Sequence, residues 1–285
     1  MADEKESSAL SKLGVQLNAQ FNPARRFTSV PASTIESRHS QPTRLSVKSI
    51  KVLSWNINKN NYRQDWITDF LEIIEQHQPD KIFLQEVQLC AVSEEIPELA
   101  QMGWSFAPNL IDTVKNAYSG VLIATKDNHL DAKAIITQHS EPISDTPKVS
   151  LFAEYSLKDN DETLLAVNAH LINFVDSDKF QSQLREVETV LAQHSGSIIF
   201  AGDFNTWNRG RWKMLSQMAG RLGLSAVSFN TADTQKIKSF LFSPPLDYIF
   251  YRGLYQKPLS AKVLDKFSSS DHNPLLVELC GQQST

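Results

Sequence analysis

Two short segments concentrate residue types suited to handling a phosphate ester. The run Ile198-Ile199-Phe200-Ala201-Gly202-Asp203-Phe204-Asn205 leads an apolar stretch into a glycine, then releases a carboxylate and an amide two residues apart. Glycine tolerates backbone angles and close approaches that other residues resist. In extended chain, residues i and i+2 face the same side. Asp203 and Asn205 would then face one spot, the first able to take a proton from water and the second to donate hydrogen bonds to a phosphoryl oxygen. A polar strand-to-loop turn would use the same residues. The second segment, Ser269-Ser270-Asp271-His272-Asn273-Pro274, precedes the last apolar run and would also suit a capped turn. It gains meaning beside Leu246-Asp247-Tyr248-Ile249-Phe250, where one acid stands among apolar neighbours and is costly to bury alone. An imidazolium held by that acid satisfies both groups and offers a donor to phosphate. The sequence therefore predicts an Asp247–His272 pair, with a plain strand-edge aspartate as the alternative.

Two further apolar runs end in Trp55-Asn56-Ile57-Asn58 and Leu84-Gln85-Glu86-Val87. Mg²⁺ prefers octahedral oxygen donors and commonly takes one or two carboxylates, with water and substrate phosphate completing the shell. Glu86 helped by Asn56 meets that demand, although a lone Glu or Asn at a strand end is unremarkable. Asn168-Ala169-His170 repeats the i,i+2 spacing, with a satisfied core histidine as the alternative for His170. From Thr206 to Ala232 there is no acid, yet Arg209, Arg211, Lys213 and Arg221 occur beside Trp207 and Trp212. That pattern predicts a rim able to hold a polyanion and stack a base or sugar, or else a helix with a solvated basic face. Tyr118 is a further candidate contact, or a packing residue.

These residues need rigid elements to aim them. Apolar runs predict strands over Ser49–Trp55, Lys81–Leu84, Ser119–Thr125, Val149–Leu157, Thr163–Ala169, Ser197–Ala201, Leu246–Tyr251 and Pro274–Leu279. Helical spacing predicts helices over Asp65–Gln76, Ser177–Gln193 and Arg209–Ala219. The pattern is that of one α/β domain with mixed sheets and polar side chains gathered at strand ends, where open α/β sheets place their sites. Residues 1–47 differ: they are rich in Ser, Thr, Pro and Gln, and from Ser7 to Val47 five basic residues face a single acid, Glu36. A loosely docked or flexible basic arm over 1–47 is expected, followed by the catalytic domain over 48–285.

The 285-residue chain carries a net charge of −4, which argues against a protein that coats nucleic acid over its whole surface. Its two cysteines, Cys90 and Cys280, have no metal-ligand spacing and are expected as small buried residues. The acidic start Met-Ala-Asp-Glu-Lys-Glu lacks the features of a signal peptide, and no apolar run is long enough to span a bilayer. A cytoplasmic protein is the expectation, and nothing in the sequence indicates a protein partner.

Taken in order, W-N-I-N (55–58), L-Q-E-V (84–87), Y-S-G-V (118–121), N-A-H (168–170), G-D-F-N (202–205), L-D-Y-I-F (246–250) and S-D-H-N-P (270–274) resemble the endonuclease/exonuclease/phosphatase superfamily, which includes DNase I. The likeness spans roughly residues 48–280, and several stretches look closest to a bacterial branch of unassigned substrate. It implies a DNase I-like four-layer α/β sandwich: two mixed sheets face to face with helices outside. It implies Glu86 as metal-binding glutamate, Asn56 beside the metal, and Asp271 as the acid by a second metal position. Asp203 matches the aspartate that positions or deprotonates water, and Asn205 and Asn168 match contacts to phosphate. His272 matches the phosphate-facing histidine oriented by Asp247, and His170 the additional histidine of the DNase I and sphingomyelinase-like members. Lys59-Asn60-Asn61 and Val87 depart from the repair nucleases, so abasic-site repair is not expected.

The expected function is a Mg²⁺-dependent phosphoesterase, with Mn²⁺ able to substitute, that hydrolyses phosphodiesters by attack of activated water, nucleic acids among its substrates. The alternatives are a phospholipid or inositol-phosphate hydrolase, and an inactive scaffold kept for binding. The last would lack one of the set, and none is missing.

Overall fold

The structure is a computed structural model that describes residues 26–37, 45–90, 96–142, 145–158 and 162–281. The first six strands lie in one sheet: β1 (Phe27–Ser29), β2 (Ile35–Ser37), β3 (Ile50–Asn56), β4 (Lys81–Leu89), β5 (Gly103–Asp112) and β6 (Ala117–Thr125). The next six form a second sheet: β7 (Asp131–Ser140), β8 (Pro147–Ser156), β9 (Thr163–His170), β10 (Ser197–Asp203), β11 (Ser225–Ala226) and β12 (Asp247–Arg252). The chain then returns to the first sheet with β13 (Leu254–Gln256), β14 (Lys262–Val263) and β15 (Leu275–Gly281), which pairs antiparallel with β3. Each sheet has one parallel pair, and each such pair is joined by a helix. α1 (Gln64–His77) links β3 to β4, and α2 (Ser177–Gln193) links β9 to β10. α3 (Arg209–Arg221) follows β10.

Alternation along the strands builds three apolar layers. Val52 of β3 and Ile199 and Ala201 of β10 face the space between the sheets. Leu53 and Trp55 turn the other way, onto Trp66, Phe70 and Ile73 of α1, which recur at helical spacing. Ile198 and Phe200 likewise turn onto Leu184, Val187 and Leu191 of α2 and Leu215 and Met218 of α3. Helix, sheet, sheet and helix therefore stack in four layers, as the sequence implied. Each such side chain contributes roughly 1.5–3 kcal/mol on burial, so the core needs no disulfide. Cys280 is buried as expected, whereas Cys90 is exposed.

A lysine enters this interior. Lys81, at the start of β4, is fully buried, donates from Nζ to Thr125 Oγ1 at 3.0 Å, and lies 3.4 Å from the Tyr155 ring centroid. Burial pushes its pKa down to about 7.

Of the segment expected as an arm, β1 and β2 both pair with β5, and Leu45 bridges Leu157. Short polar edge strands of this kind carry no apolar alternation that would announce them. Lys12, Arg25, Arg38 and Arg44 lie outside the described residues. Among the described residues no helix is long and apolar enough to cross a membrane.

Candidate active site

His170, Asp203 and Asp247 stand in one transverse row, because the register pairs His170 with Asp203 across β9 and β10, and Asp203 with Asp247 across β10 and β12. Gly202 makes this row possible. Its φ is +145°, and a Cβ there would lie 1.9 Å from the Ala169 carbonyl oxygen. Only glycine lets the two strands close up beside the acid.

Asp203 is 3% exposed and anchored through both oxygens. Oδ2 accepts from Asn56 Nδ2 at 2.9 Å, and Oδ1 accepts from the Asn205 backbone N–H at 3.0 Å. Burial, reinforced by the charge of Asp247, pushes its pKa up to about 7. His170 Nε2 lies 3.6 Å from Asp203 Oδ2, and burial together with Lys148 holds that imidazole well below its usual pKa, hence neutral.

The expected Asp247–His272 pair is present, with Nδ1 and Oδ2 2.7 Å apart. Burial alone would discharge the imidazole, but the charge and hydrogen bond of Asp247 outweigh it and raise the pKa to about 10. Nδ1–H therefore donates to Asp247, and Nε2–H remains as the second donor. The loop is held from the first sheet: Trp55 Nε1 donates to the His272 carbonyl at 2.8 Å, and Ser270 Oγ to the Asn56 carbonyl at 2.7 Å. Asp247 opens β12 and His272 lies just before β15, where the sequence placed them. Both strands run antiparallel to their neighbours β10 and β3, which brings their starts to the same end of the sandwich.

Glu86 is turned outward by a bulge between Gln85 and Val87, and its φ is +56°. Bulges commonly re-aim side chains beside active sites. Burial works against its charge, yet Lys59 and Lys148 hold the carboxylate well below the ordinary range. Lys59 Nζ lies 2.6 Å from Glu86 Oε2, delivered there by left-handed backbone at Asn58 and Lys59.

Asn56, Glu86, His170, Asp203, Asn205, Asp271 and His272 line one cleft of about 330 Å³. Asn205 reaches it from a left-handed turn at φ +49°, so extended alternation does not aim it. Its Nδ2 donates to the Leu171 carbonyl at 2.8 Å. Three lysines share the lining, each beside an acid: Lys59 at Glu86, Lys148 3.4 Å from Glu141, and Lys238 3.1 Å from Asp271.

Five expected contacts are not brought to the cleft. Asn168 is fully buried between the sheets, where Nδ2 donates to the Leu84 and Leu122 carbonyls at 2.9 and 2.8 Å and Oδ1 accepts from Gln85. It lies two residues before His170, inside the sandwich, and ties the two sheets together. Arg211 is 1% exposed, and its guanidinium donates to the Ile172, Asn205 and Val175 carbonyls at 2.8, 3.1 and 2.9 Å. It braces the loop beneath Asn205 and stacks over Phe180 and Trp207. Trp207 is half-buried, Arg209 is exposed at the start of α3, and Tyr118 packs on the α1 side of the first sheet. None of the five lines the cleft. Helical phase explains the failure, because the basic run folds into α3 outside the second sheet. Lys148, Lys238, Phe174 and Phe240 escaped notice because each lies in or beside a loop without a motif, whereas Lys59 was visible as a departure.

A hard divalent cation fits one part of this lining. Asp203, Asp247 and His272 bring ligand atoms within 4.8 Å of one another, but the imidazolium already balances that group. The Glu86 carboxylate and the Asn56 amide oxygen on the cleft lining are oxygen donors of the kind such an ion takes, with the Asp271 carboxylate on the same lining, and Glu86 already draws a cation in Lys59.

The sequence profile described as the Endonuclease/Exonuclease/phosphatase family matches residues 53–272. A UPF0294 protein of Vibrio parahaemolyticus is 35% identical over 229 residues, covering 80% of this chain and 76% of the relative. Among solved structures, an endonuclease/exonuclease/phosphatase of Bacteroides vulgatus superposes with a TM-score of 0.61 at 17% identity, covering 82% of this chain and 99% of that one. The human Nocturnin catalytic domain with bound sulfate superposes at 0.60 and 17% identity, covering 88% and 98%. These structures share the fold, while the sequence match supplies the kinship. Divalent-metal dependence is general in that family, and the oxygen-rich lining is consistent with it. The chain belongs to the endonuclease/exonuclease/phosphatase family and is a hydrolase of phosphate ester bonds.

Proposed function

We propose that the protein is a Mg²⁺-dependent phosphodiesterase in which Asp203 activates the attacking water. The observation that carries this reading is Asp203 fixed by Asn56 and Asn205 beside the Asp247–His272 pair, at the wall of a lysine-lined cleft. A carboxylate with a pKa near 7 is matched to general-base work at neutral pH. Nε2–H of the His272 imidazolium donates to a phosphoryl oxygen, and the Asn205 amide has a second N–H for the same task. Neutral His170 stands beside Asp203, with Nε2 3.6 Å from Oδ2. Lys59, Lys148 and Lys238 supply positive charge around the substrate phosphate. Glu86, Asn56 and Asp271 would hold Mg²⁺, or Mn²⁺ in its place, which when bound neutralises charge on the phosphoryl oxygens.

Nucleic acid is one substrate class this reading admits. The arginine and tryptophan rim that first pointed to it lies away from the cleft, so the case rests on the phosphate chemistry. Phospholipid or inositol-phosphate esters are the second class, favoured by exposed Phe174 and Phe240 at the lining. The test is hydrolysis of bis(p-nitrophenyl) phosphate with Mg²⁺, beside DNA, RNA, phospholipid and inositol-phosphate panels. Activity should vanish with EDTA and in a folded Asp203→Ala variant. Undiminished turnover in that variant would remove Asp203 from the reaction.

A further inference from the structure

The loop between the short helix Thr231–Thr234 and β12 reads Lys236-Ile237-Lys238-Ser239-Phe240-Leu241-Phe242-Ser243-Pro244-Pro245-Leu246, without an acid. It is a closed structure. Ser239 bridges Pro245, the Ser243 N–H donates to the Phe240 carbonyl at 3.0 Å, and the Phe240 N–H donates to Ser243 Oγ at 2.8 Å. Much of the polar backbone at the tip is thus satisfied within the loop, while its side chains are not covered. Phe240, Leu241 and Phe242 are 48%, 86% and 93% exposed.

Phe242 adds a second cost, because its φ is +61°. Left-handed backbone is unfavourable for any residue with a Cβ and rare for a bulky one. Asparagine or glycine would sit there with less strain and better solubility. Phe174, on the cleft lining, repeats the combination with 60% exposure and φ +51°. Two bulky apolar residues near one cleft are thus held in unfavourable backbone and left largely exposed among the described residues.

The chemistry of the tip favours hydrocarbon over nucleobases. A stacking platform needs aromatic faces where the substrate lies, yet Leu241 has none, and neither Leu241 nor Phe242 lines the cleft. An apolar tip above a cationic base is the pattern of an interfacial anchor on anionic lipid. The base is Lys236, between Asp265 at 3.2 Å and the less exposed Asp233 at 3.6 Å, and Lys238, paired with exposed Asp271 at 3.1 Å. The solvent-screened Lys238 pair is weak, so this lysine is able to turn to a lipid phosphate. Lys238 and Phe240 also line the cleft, which makes the loop continuous with the site.

We infer that the Phe240–Phe242 loop inserts into the surface of an anionic phospholipid membrane and presents the cleft to phosphate esters at the lipid headgroups. The choice of substrate rests on the phosphodiesterase reading, but the insertion does not. The test is co-sedimentation of the full chain with vesicles of phosphatidylcholine and phosphatidylglycerol, beside binding to duplex DNA and hydrolysis of bis(p-nitrophenyl) phosphate. Wild type should sediment with the mixed vesicles. Leu241→Ser/Phe242→Asn should bind them at least about tenfold more weakly, with a thermal midpoint no lower than wild type and unchanged hydrolysis of the soluble ester. Phe242→Trp should keep binding and shift its emission to the blue on adding vesicles. Wild type that stays in the supernatant, a double variant that binds as well as wild type, or a double variant that loses DNA binding instead, overturns the inference. Vesicle binding in a protein that hydrolyses no phosphodiester upholds the anchor and removes the proposed chemistry.

Discussion

The ammonium of Lys59 lies 2.6 Å from Glu86 Oε2, at the carboxylate best suited to a divalent cation. A protein cation and a metal ion would compete for that oxygen. Lys59→Met should therefore tighten Mg²⁺ binding by up to about fivefold, the range expected of a partly exposed ion pair. Titration calorimetry of the purified protein checks this. Unchanged or weaker affinity would show that Lys59 does not compete for the site.

In the proposed reaction Asp247 acts through His272, whose Nδ1 it holds at 2.7 Å. In Asp247→Asn the imidazole loses its counter-charge while burial remains, so its pKa should fall far below about 10. Hydrolysis at neutral pH should drop by about 10²–10⁴. Imidazole titration by NMR reads the first effect and turnover the second. A drop in turnover with an unmoved imidazole would refute the coupling.

Arg211 and Arg209 should separate cleanly. Arg211→Ala leaves the Ile172, Asn205 and Val175 carbonyls without their buried donor, and should cost about 3–5 kcal/mol of stability. Arg209→Ala, at an exposed helix start, should stay within about 0.5 kcal/mol and leave KM for a soluble ester unchanged. Urea denaturation and steady-state kinetics decide both.

Lys81 predicts an alkaline gain in stability. Its pKa is about 7 when folded and 10.5 in its ordinary state. Between those values the unfolded chain binds a proton that the native state has lost, so stability rises with pH. Below about pH 7 both states are protonated and the gain is absent. Lys81→Met should flatten the rise and stabilise the protein at neutral pH by about 1–3 kcal/mol. Urea midpoints near pH 7 and pH 9 test this, and an equal rise in the variant would assign it elsewhere.

The row of His170, Asp203 and Asp247 was legible because each member sits at one end of an apolar run, as Ile198–Ala201 leads to Asp203. The Asp247–His272 pair followed from the cost of burying a lone acid. Other parts were hidden for physical reasons. β5 (Gly103–Asp112) is interrupted by Pro108 and a bulge, and β7 (Asp131–Ser140) is an edge strand half open to solvent, so neither shows clean alternation. Arg211 read as a substrate contact because composition cannot tell which way a helix faces. Asn168 shared its spacing with Asp203, yet one rung of depth separates a cleft wall from the sandwich interior. Lys148, at the start of β8, and Lys238, from a loop, approach Glu86 and Asp271 only through tertiary structure.

The row of His170, Asp203 and Asp247 depends on three strands paired in one register, and a slip of one residue in β10 would turn Asp203 to the opposite face. His272 arrives only when β15, the last strand among the described residues, lies down beside β3. The proposed site therefore needs both sheets assembled, and hydrolysis serves as a check on that assembly. A chain cut before β15 would carry Glu86, His170 and Asp203 but no imidazolium partner for Asp247. Such a fragment should be unable to cut bis(p-nitrophenyl) phosphate, so turnover reports the docking of β15 on β3 as well as the chemistry.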